Sequence, residues 1–271
     1  MVTQEQRKRQ LAREKFLRQQ QRRTAARRKS RMRNSVIASV LGVILVGSLA
    51  LYTSDVLKGD DDKSDTAAAT PSPTPSAIAD PCKKAAEGKV KTATWKKEPS
   101  MTIDKSAKYT MKLATTCGDI DIALKTKAAP HTVNSFDFLA AKGYFDHTKC
   151  HRLTTNGIYV LQCGDPTGSG SGGPGYTIPD ENLKDKSLKD NVYPAGTIAM
   201  ANTGQAHTGG SQFFLVYQDS QLPPSYTPFG TVSESGMTVL KKIAAAGEST
   251  GAGDGAPNAT VVINKATVTK S

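Results

Sequence analysis

The chain has 271 residues and a formal net charge of +12, and 37% of its residues are hydrophobic. This length allows one or two domains with enough apolar side chains for a folded core. Residues 1–35 contain 13 Lys and Arg against two acids, Glu5 and Glu14, and so carry eleven of the twelve net charges. The remainder is nearly neutral, which argues against a nucleic-acid-binding domain. Contact of this basic tail with anionic lipid or RNA stays open as an alternative.

The first predicted structural element is a membrane anchor. An uncharged run, VIASVLGVILVGSLALY, occupies residues 36–52. Its length is at the short end of the ~17–25 residues that span a bilayer as a helix. Polar flanking residues extend the predicted helix to 36–54. The basic tail precedes it, so the positive-inside rule predicts a single-pass cell-membrane protein with a cytoplasmic N-terminus and an exported C-terminus. A cleaved signal peptide is the alternative.

A linker follows the predicted anchor. Residues 55–80 are rich in Pro, Ala, Thr and Asp and show no hydrophobic periodicity. Such a composition buries too little apolar surface to offset the entropy of ordering, so we expect a disordered spacer. Prolines at every second position, Pro71, Pro73 and Pro75, stiffen it toward polyproline II. The remaining residues, 81–271, form the predicted folded domain.

Four cysteines lie beyond the apolar segment: Cys82, Cys117, Cys150 and Cys163. An even number in an exported domain favours disulfides over free thiols. Cys150 and Cys163 flank a predicted hairpin and can face each other across it, which leaves Cys82 to pair with Cys117. A zinc site formed by Cys150, His151 and Cys163 is the alternative.

The periodicity of the folded domain predicts eight short strands and two helices. Ile120, Ile122 and Leu124 alternate with polar or small residues, which is typical of a strand with one buried face. Because the strands do not alternate with helices, we predict a mainly β fold, a closed eight-stranded antiparallel barrel capped by two helices. So small a barrel is filled by its own side chains, so the functional groove should lie on its outer wall. The predicted strands are 109–115, 119–124, 150–154, 159–164, 197–200, 213–216, 229–232 and 261–268, and the predicted helices run from Pro130 to Gly143 and over 236–246.

Five short motifs occur in the second half of the chain. They are His151-Arg152-Leu153, Val160-Leu161-Gln162-Cys163-Gly164-Asp165, Met200-Ala201-Asn202, Gly210-Ser211-Gln212-Phe213-Phe214 and Pro228-Phe229-Gly230. In this order and spacing the motifs resemble those of cyclophilin-type peptidyl-prolyl cis-trans isomerases, over roughly Lys108 to Val268. Among these the chain looks most like the membrane-anchored bacterial members of actinobacterial type. The resemblance independently implies the capped barrel.

The motifs supply an arginine, glutamines, an asparagine and apolar side chains, without an obvious nucleophile. Such a set suits rotation about an X-Pro peptide bond, which breaks no covalent bond and is slow without a catalyst. Arg152 is the candidate donor to the prolyl nitrogen, with Gln162 as the second catalytic residue. No cofactor or metal is expected.

The resemblance also implies which residues bind the substrate. It assigns the proline pocket to apolar side chains and the peptide backbone to amide groups, with Asn202 acting mainly through its main chain. The implied substrate-binding residues are His151, Tyr159, Val160, Ala201, Asn202, Gln212, Phe214, Leu222 and Tyr226.

The predicted function is prolyl isomerisation that assists the folding of exported proteins. The expected partners are proline-containing polypeptides and, through the N-terminal helix, the membrane; no specific nucleic acid is expected, and the catalytic domain should be monomeric. The alternative is a chaperone or scaffold module that binds X-Pro segments with little turnover. The arginine distinguishes the two, because binding alone does not require a donor at the prolyl nitrogen.

Overall fold

The computed structural model describes residues 80–271. The predicted basic tail, the signal anchor and all but the last residue of the predicted linker lie outside the described residues. Within 80–271, neither helix is long and apolar enough to cross a membrane.

Twelve strands and two helices make up the described region, after an N-terminal segment at 80–108 that contains neither. In chain order they are β1 (Tyr109–Thr115), β2 (Gly118–Leu124), α1 (Pro130–Ala141), β3 (Thr148–Lys149), β4 (Arg152–Thr154), β5 (Val160–Cys163), β6 (Val192–Tyr193), β7 (Thr197–Met200), β8 (Phe213–Val216), β9 (Ser220–Gln221), β10 (Pro228–Val232), α2 (Glu234–Ala245), β11 (Asp254–Gly255) and β12 (Val262–Lys270).

Ten of these strands form one curled, antiparallel sheet, a half-barrel, in the order β11-β4-β5-β8-β7-β10-β2-β1-β12-β3, and β6 pairs with β9. The predicted closed barrel of eight strands is corrected accordingly. The eight predicted strands are present, and the four additional ones contain two residues each. So short a strand has no periodicity of its own in the sequence. The strand predicted at 150–154 begins two residues later, as β4, and the unpredicted β3 lies before it.

The main core lies between the curled sheet and helix α1. Met111 and Leu113 of β1 and Ile122 of β2 are at most 1% exposed, which confirms the predicted alternation. The ring of Phe136, on α1, lies 4.6 Å from that of Phe229 and contacts two further phenylalanine rings. Each buried ring or branched chain contributes roughly 1.5–3 kcal/mol relative to its exposed state. This core fixes the sheet on which the functional side chains stand.

The helix boundaries follow local rules. Pro130 opens α1, where its missing N–H costs nothing, and Gly143 follows the helix with a φ of 63° that glycine adopts readily. Helix α2 begins at Glu234, two residues before the predicted start, because the Ser233 hydroxyl caps it by accepting from the Gly236 N–H at 3.1 Å.

Both predicted disulfides are present, Cys82–Cys117 and Cys150–Cys163. The first ties the N-terminal segment to the turn between β1 and β2. The second links Cys150, which lies between β3 and β4, to the end of β5. The zinc alternative is wrong, because the disulfide consumes both thiolates that such a site needs, and no metal-binding cluster of His, Cys, Asp or Glu occurs within 80–271.

Candidate active site

Strand β8 separates two apolar clusters on opposite faces of the sheet. Phe213 and Leu215 face the main core. Phe214 and Val216 belong to a second cluster on the outer face, which also contains Val160 and Leu222. The period of two in a strand places successive side chains on opposite faces. Phe214, one of the predicted substrate-binding residues, therefore faces outward, away from the main core.

The outer cluster forms an apolar floor. Val160, Phe214 and Leu222 are 2%, 5% and 9% exposed. The half-buried ring of Tyr226 packs edge-on against Phe214, with centroids 5.3 Å apart. Beneath them the hydroxyl of Tyr193 donates to the Tyr226 carbonyl at 2.8 Å and accepts from its N–H at 3.2 Å. The predicted residues Val160, Phe214, Leu222 and Tyr226 thus meet at one place.

A row of polar side chains runs beside this floor. The Arg152 guanidinium donates from Nε and Nη2 to the Asp254 carboxylate at 2.7 and 2.8 Å. Its Nη1 donates to Oε1 of Gln162 at 3.1 Å, and Nε2 of Gln162 donates to Oε1 of Gln212 at 2.9 Å. Gln212 in turn donates to the Gly172 carbonyl at 2.9 Å. Each member of the row fixes the orientation of the next.

The row leaves Arg152 able to bind a further acceptor. A guanidinium has five N–H donors, and the bonds to Asp254 and Gln162 use three of them. The hydrogen bond and charge of Asp254 raise the pKa of Arg152, and the nearby Tyr226 adds to the effect, although burial opposes it. Arg152 therefore stays charged and presents two free N–H groups.

A groove of about 1080 Å³ lies next to the polar row. Gln162, Ala201, Asn202 and Gln212 all line it, as the resemblance implied. The Asn202 side chain is occupied within the protein, since its Nδ2 donates to the Ser225 carbonyl at 2.8 Å and its Oδ1 accepts from the Gly204 N–H at 3.0 Å. Both polar atoms of the Asn202 side chain are therefore occupied, and its main chain is the part predicted to bind substrate.

The glycine-rich loop at 168–175 forms one wall of this groove and is held by a single buried carboxylate. Asp165 is fully buried and accepts from the backbone N–H groups of Thr167, Gly170 and Gly172 at 2.7, 2.6 and 3.1 Å. Burial alone would raise the pKa of Asp165, but these bonds and that of the Thr167 hydroxyl outweigh it and lower the pKa to about 2. Asp165 thus anchors the loop at its centre.

Two of the predicted substrate-binding residues lie in neither the groove nor the apolar floor. The ring nitrogens of His151 are buried without a hydrogen-bond partner within the described region, and its ring lies beside Gly170. Burial lowers the pKa of His151, aided by Arg152 and opposed by Asp165, so the ring is neutral at pH 7. Tyr159 packs against the main core, with its ring 5.9 Å from that of Tyr217. Both residues support the site from outside it.

Three residues of the site were not predicted. Asp254 comes from a two-residue strand within a glycine-rich stretch, and Tyr193 from another two-residue strand. Asp165 was visible in the motif Gly164-Asp165, but nothing in its spacing indicated that it would bind the loop. Only Asp165 carried a usable signal, because it lies three residues before the glycine-rich stretch at 168–175.

Comparison with known proteins identifies the family of the chain. Residues 110–268 match the family described as cyclophilin type peptidyl-prolyl cis-trans isomerase/CLD. The chain is 50% identical over 165 residues to the probable peptidyl-prolyl cis-trans isomerase B of Mycobacterium leprae, and 48% identical over 165 residues to that of Mycobacterium tuberculosis strain H37Rv. These alignments cover 58% of this chain and 56% and 53% of the two mycobacterial proteins, so the chain spans little more than half of their length.

Shorter relatives are covered more fully. The chain is 39% identical over 125 residues to peptidyl-prolyl cis-trans isomerase B of Bacillus subtilis, covering 46% of this chain and 82% of that protein. The crystal structure of a cyclophilin type peptidyl-prolyl cis-trans isomerase from Cryptosporidium parvum superposes with a TM-score of 0.51 at 26% identity, covering 60% of this chain and 99% of that one. The matched family spans most of the described domain, and the chain belongs to the cyclophilin-type peptidyl-prolyl cis-trans isomerases.

Proposed function

We propose that the described domain accelerates cis–trans isomerisation of X-Pro bonds in exported polypeptides, with Arg152 donating to the prolyl nitrogen. The observation that carries this proposal is the register of three neighbouring strands. Arg152 of β4 pairs with Gln162 of β5, and Gln162 pairs with Phe214 of β8. Strands lie ~4.8 Å apart, so the donor and the apolar floor are separated by roughly 10 Å on one face. A proline with its preceding peptide group fits that span.

The chemistry follows from what happens to the amide as it twists. Resonance gives the planar bond a rotational barrier of ~18–20 kcal/mol. In the twisted transition state the lone pair returns to nitrogen, which then accepts a hydrogen bond from Arg152 much more strongly than in the planar state. Only such a difference between the two states accelerates the step. One well-placed charged donor supplies about 3 kcal/mol, or roughly a hundredfold.

The apolar floor adds a second effect. A twisted amide is less polar than a planar one, so contact with Val160, Phe214 and Leu222 penalises the ground state more than the transition state. Gln162 and Gln212 hold the substrate backbone, and Gln162 also holds Arg152 in place. The same hydrogen-bonded row therefore positions both substrate and donor.

The cellular setting is part of the proposal. We infer that residues 36–54 anchor the protein in the membrane, with 1–35 in the cytoplasm and a monomeric isomerase domain outside it. The charge difference across the apolar segment supports this orientation. The two disulfides support an exported domain, because disulfides are rare in reducing cytosol. The clients would be exported chains that fold outside the cell.

The test measures isomerisation directly. Residues 80–271 should speed cis–trans exchange of a short X-Pro peptide, followed by NMR exchange spectroscopy, and Arg152→Ala should lower kcat/KM about a hundredfold without unfolding the domain. Lys112→Ala, which removes an exposed cation of β1 outside the groove, is the matched control and should stay at the wild-type rate. Near-wild-type exchange by Arg152→Ala would contradict the mechanism. Tight peptide binding without exchange by the wild type would favour the binding-module alternative.

A further inference from the structure

Part of the groove wall comes from outside the matched family region. The groove is lined by Lys96, Lys97 and Glu98, which belong to the N-terminal segment at 80–108. The family match begins only at residue 110. This chain therefore adds a wall to the groove that contains Gln162 and Gln212.

The added wall is firmly attached. Trp95, directly before the two lysines, packs edge-on against Phe138 at 5.1 Å between centroids and contacts Tyr144 at 5.9 Å. The backbone N–H of Trp95 donates to the Pro174 carbonyl at 2.8 Å. A Cβ at Gly175 would lie 2.9 Å from the Trp95 carbonyl oxygen, so the segment and the glycine-rich loop meet backbone to backbone.

Two further bonds hold the ends of the segment. The Cys82–Cys117 disulfide fixes its start, and the Thr102 N–H donates to Oδ1 of Asn134 on α1 at 2.9 Å near its end. Lys96 and Lys97 thus project from a backbone that is tied down on both sides. A fixed backbone reduces the ordering cost when their side chains bind a ligand.

The charge of the wall is positive. Lys96 and Lys97 are exposed, and neither forms an ion pair with a carboxylate of residues 80–271. The one acidic residue lining the groove is Glu98, which lies 3.3 Å from Nδ1 of His131. An extended peptide that leaves the polar row along this groove passes two cations without a carboxylate partner.

We propose that Lys96 and Lys97 form a subsite for an acidic side chain close to the proline, so that this isomerase prefers X-Pro segments that carry Asp or Glu. The proposal rests on the isomerase function proposed above. It adds a specificity element that lies before the family region in the sequence and next to the catalytic row in space. Carboxylate recognition by exposed lysines is modest in strength and weakens with salt.

The experiment uses the full chain in detergent and matched peptides. Each peptide has one X-Pro bond, with Glu at one of three positions before or after it, and its partner has Gln at that position. At low salt, NMR exchange should show kcat/KM at least threefold higher for one Glu peptide than for its Gln partner. The ratio of kcat/KM between the Glu and Gln peptides should fall to about one in K96A/K97A and, for the wild type, in 1 M salt. The matched control is K241A/K242A, which removes an exposed pair of lysines on α2 and should keep the threefold ratio.

The outcomes distinguish a failure of the acidic subsite from a failure of the proposed isomerase function. Gln peptides report isomerisation itself and should react equally fast in all three proteins. Equal rates for Glu and Gln at every position, or the same preference in K96A/K97A, would overturn the subsite. Trp95 is the only tryptophan of the chain, so its fluorescence measures binding of the same peptides even if no exchange is seen. Tighter binding of Glu peptides that depends on the two lysines would support the subsite in that case, and equal binding would refute it.

Discussion

Asp254 is the residue that sets the orientation of Arg152. Its carboxylate binds two of the three guanidinium nitrogens, and the third faces Gln162. The side chains of Arg152 and Asp254 are 37% and 55% exposed. Exposed ion pairs contribute little to stability, typically 0–1 kcal/mol. We therefore interpret Asp254 as a positioning residue whose effect is on geometry more than on folding.

We predict that Asp254→Ala lowers kcat about tenfold with little change in KM, because the freed guanidinium samples orientations that do not reach the prolyl nitrogen. Asp254→Asn keeps one acceptor and should recover part of the loss. The matched control is Asp119→Ala, which removes an exposed acid paired with Lys112. Rates by NMR exchange and the midpoint of urea unfolding decide the matter. A loss of kcat that only follows a loss of stability, or none at all, would argue against positioning.

At the scale of elements, the glycine-rich loop depends on one ionised side chain. Hydrogen bonds hold the pKa of Asp165 at about 2, below the 3.8 of an ordinary aspartate. Because the pKa in the folded state is lowered, the carboxylate stabilises the fold fully above about pH 5. That contribution disappears as the pH falls through 3.8 toward 2. A difference of nearly two pH units corresponds to about 2 kcal/mol.

We predict that Asp165→Asn costs about 2 kcal/mol of unfolding free energy at pH 7 and almost nothing at pH 2. Other carboxylates titrate in the same range, so the informative quantity is the difference between wild type and variant at each pH. Urea unfolding at pH 7, 4 and 2 measures it. A difference that stays constant across this range would show that the charge of Asp165 does not hold the loop.

The Cys150–Cys163 disulfide braces the strand that presents Arg152. Cys150 lies two residues before Arg152 and Cys163 one residue after Gln162, so the bond fixes the hairpin of both catalytic candidates. Closing a loop of this size contributes roughly 3 kcal/mol to stability, mainly by restricting the unfolded chain. The brace should therefore affect both stability and catalysis.

We predict that replacing Cys150 and Cys163 by Ser lowers stability by about that amount and kcat severalfold on a neutral X-Pro peptide. The matched control is the double Ser variant of Cys82 and Cys117, which should lose stability but keep its kcat on that peptide. Urea unfolding and NMR exchange supply both numbers. If the Cys150 and Cys163 variant is folded and its kcat is unchanged, the Cys150–Cys163 disulfide does not contribute to catalysis.

At the scale of the whole molecule, the sequence predicts what is local or carried by a motif. The alternation in β2 predicted its buried face, and Pro130 and Gly143 predicted the ends of α1. The motifs pointed to Gln162 and Phe214, which the structure pairs on neighbouring strands. In each case, short-range chemistry or a resemblance over contiguous residues was sufficient.

What was missed depends on contacts between distant parts of the chain. Asp254 meets Arg152 from 102 residues away, and the strand that carries it has two residues. The unpredicted strand β3 exists through pairing with β12, whereas the neighbouring β4 pairs with β5. Tyr159 faces the core because of strand register, which a motif of fixed spacing does not encode. Register and long-range pairing are properties of the fold, so they appear only in three dimensions.

The last prediction concerns how the molecule lies across the membrane. Residues 1–35 carry eleven net positive charges, whereas the residues after the apolar run are nearly neutral. Moving that many cations across a bilayer is costly, so the tail should stay inside while the domain is exported. Protease added to intact cells should therefore digest residues beyond Tyr52 and spare those before Val36. In lysed cells the protease should digest the residues before Val36 as well as those beyond Tyr52. A domain that lacks its N-terminus and accumulates in the medium as the main product would instead show that the apolar segment is a cleaved signal peptide.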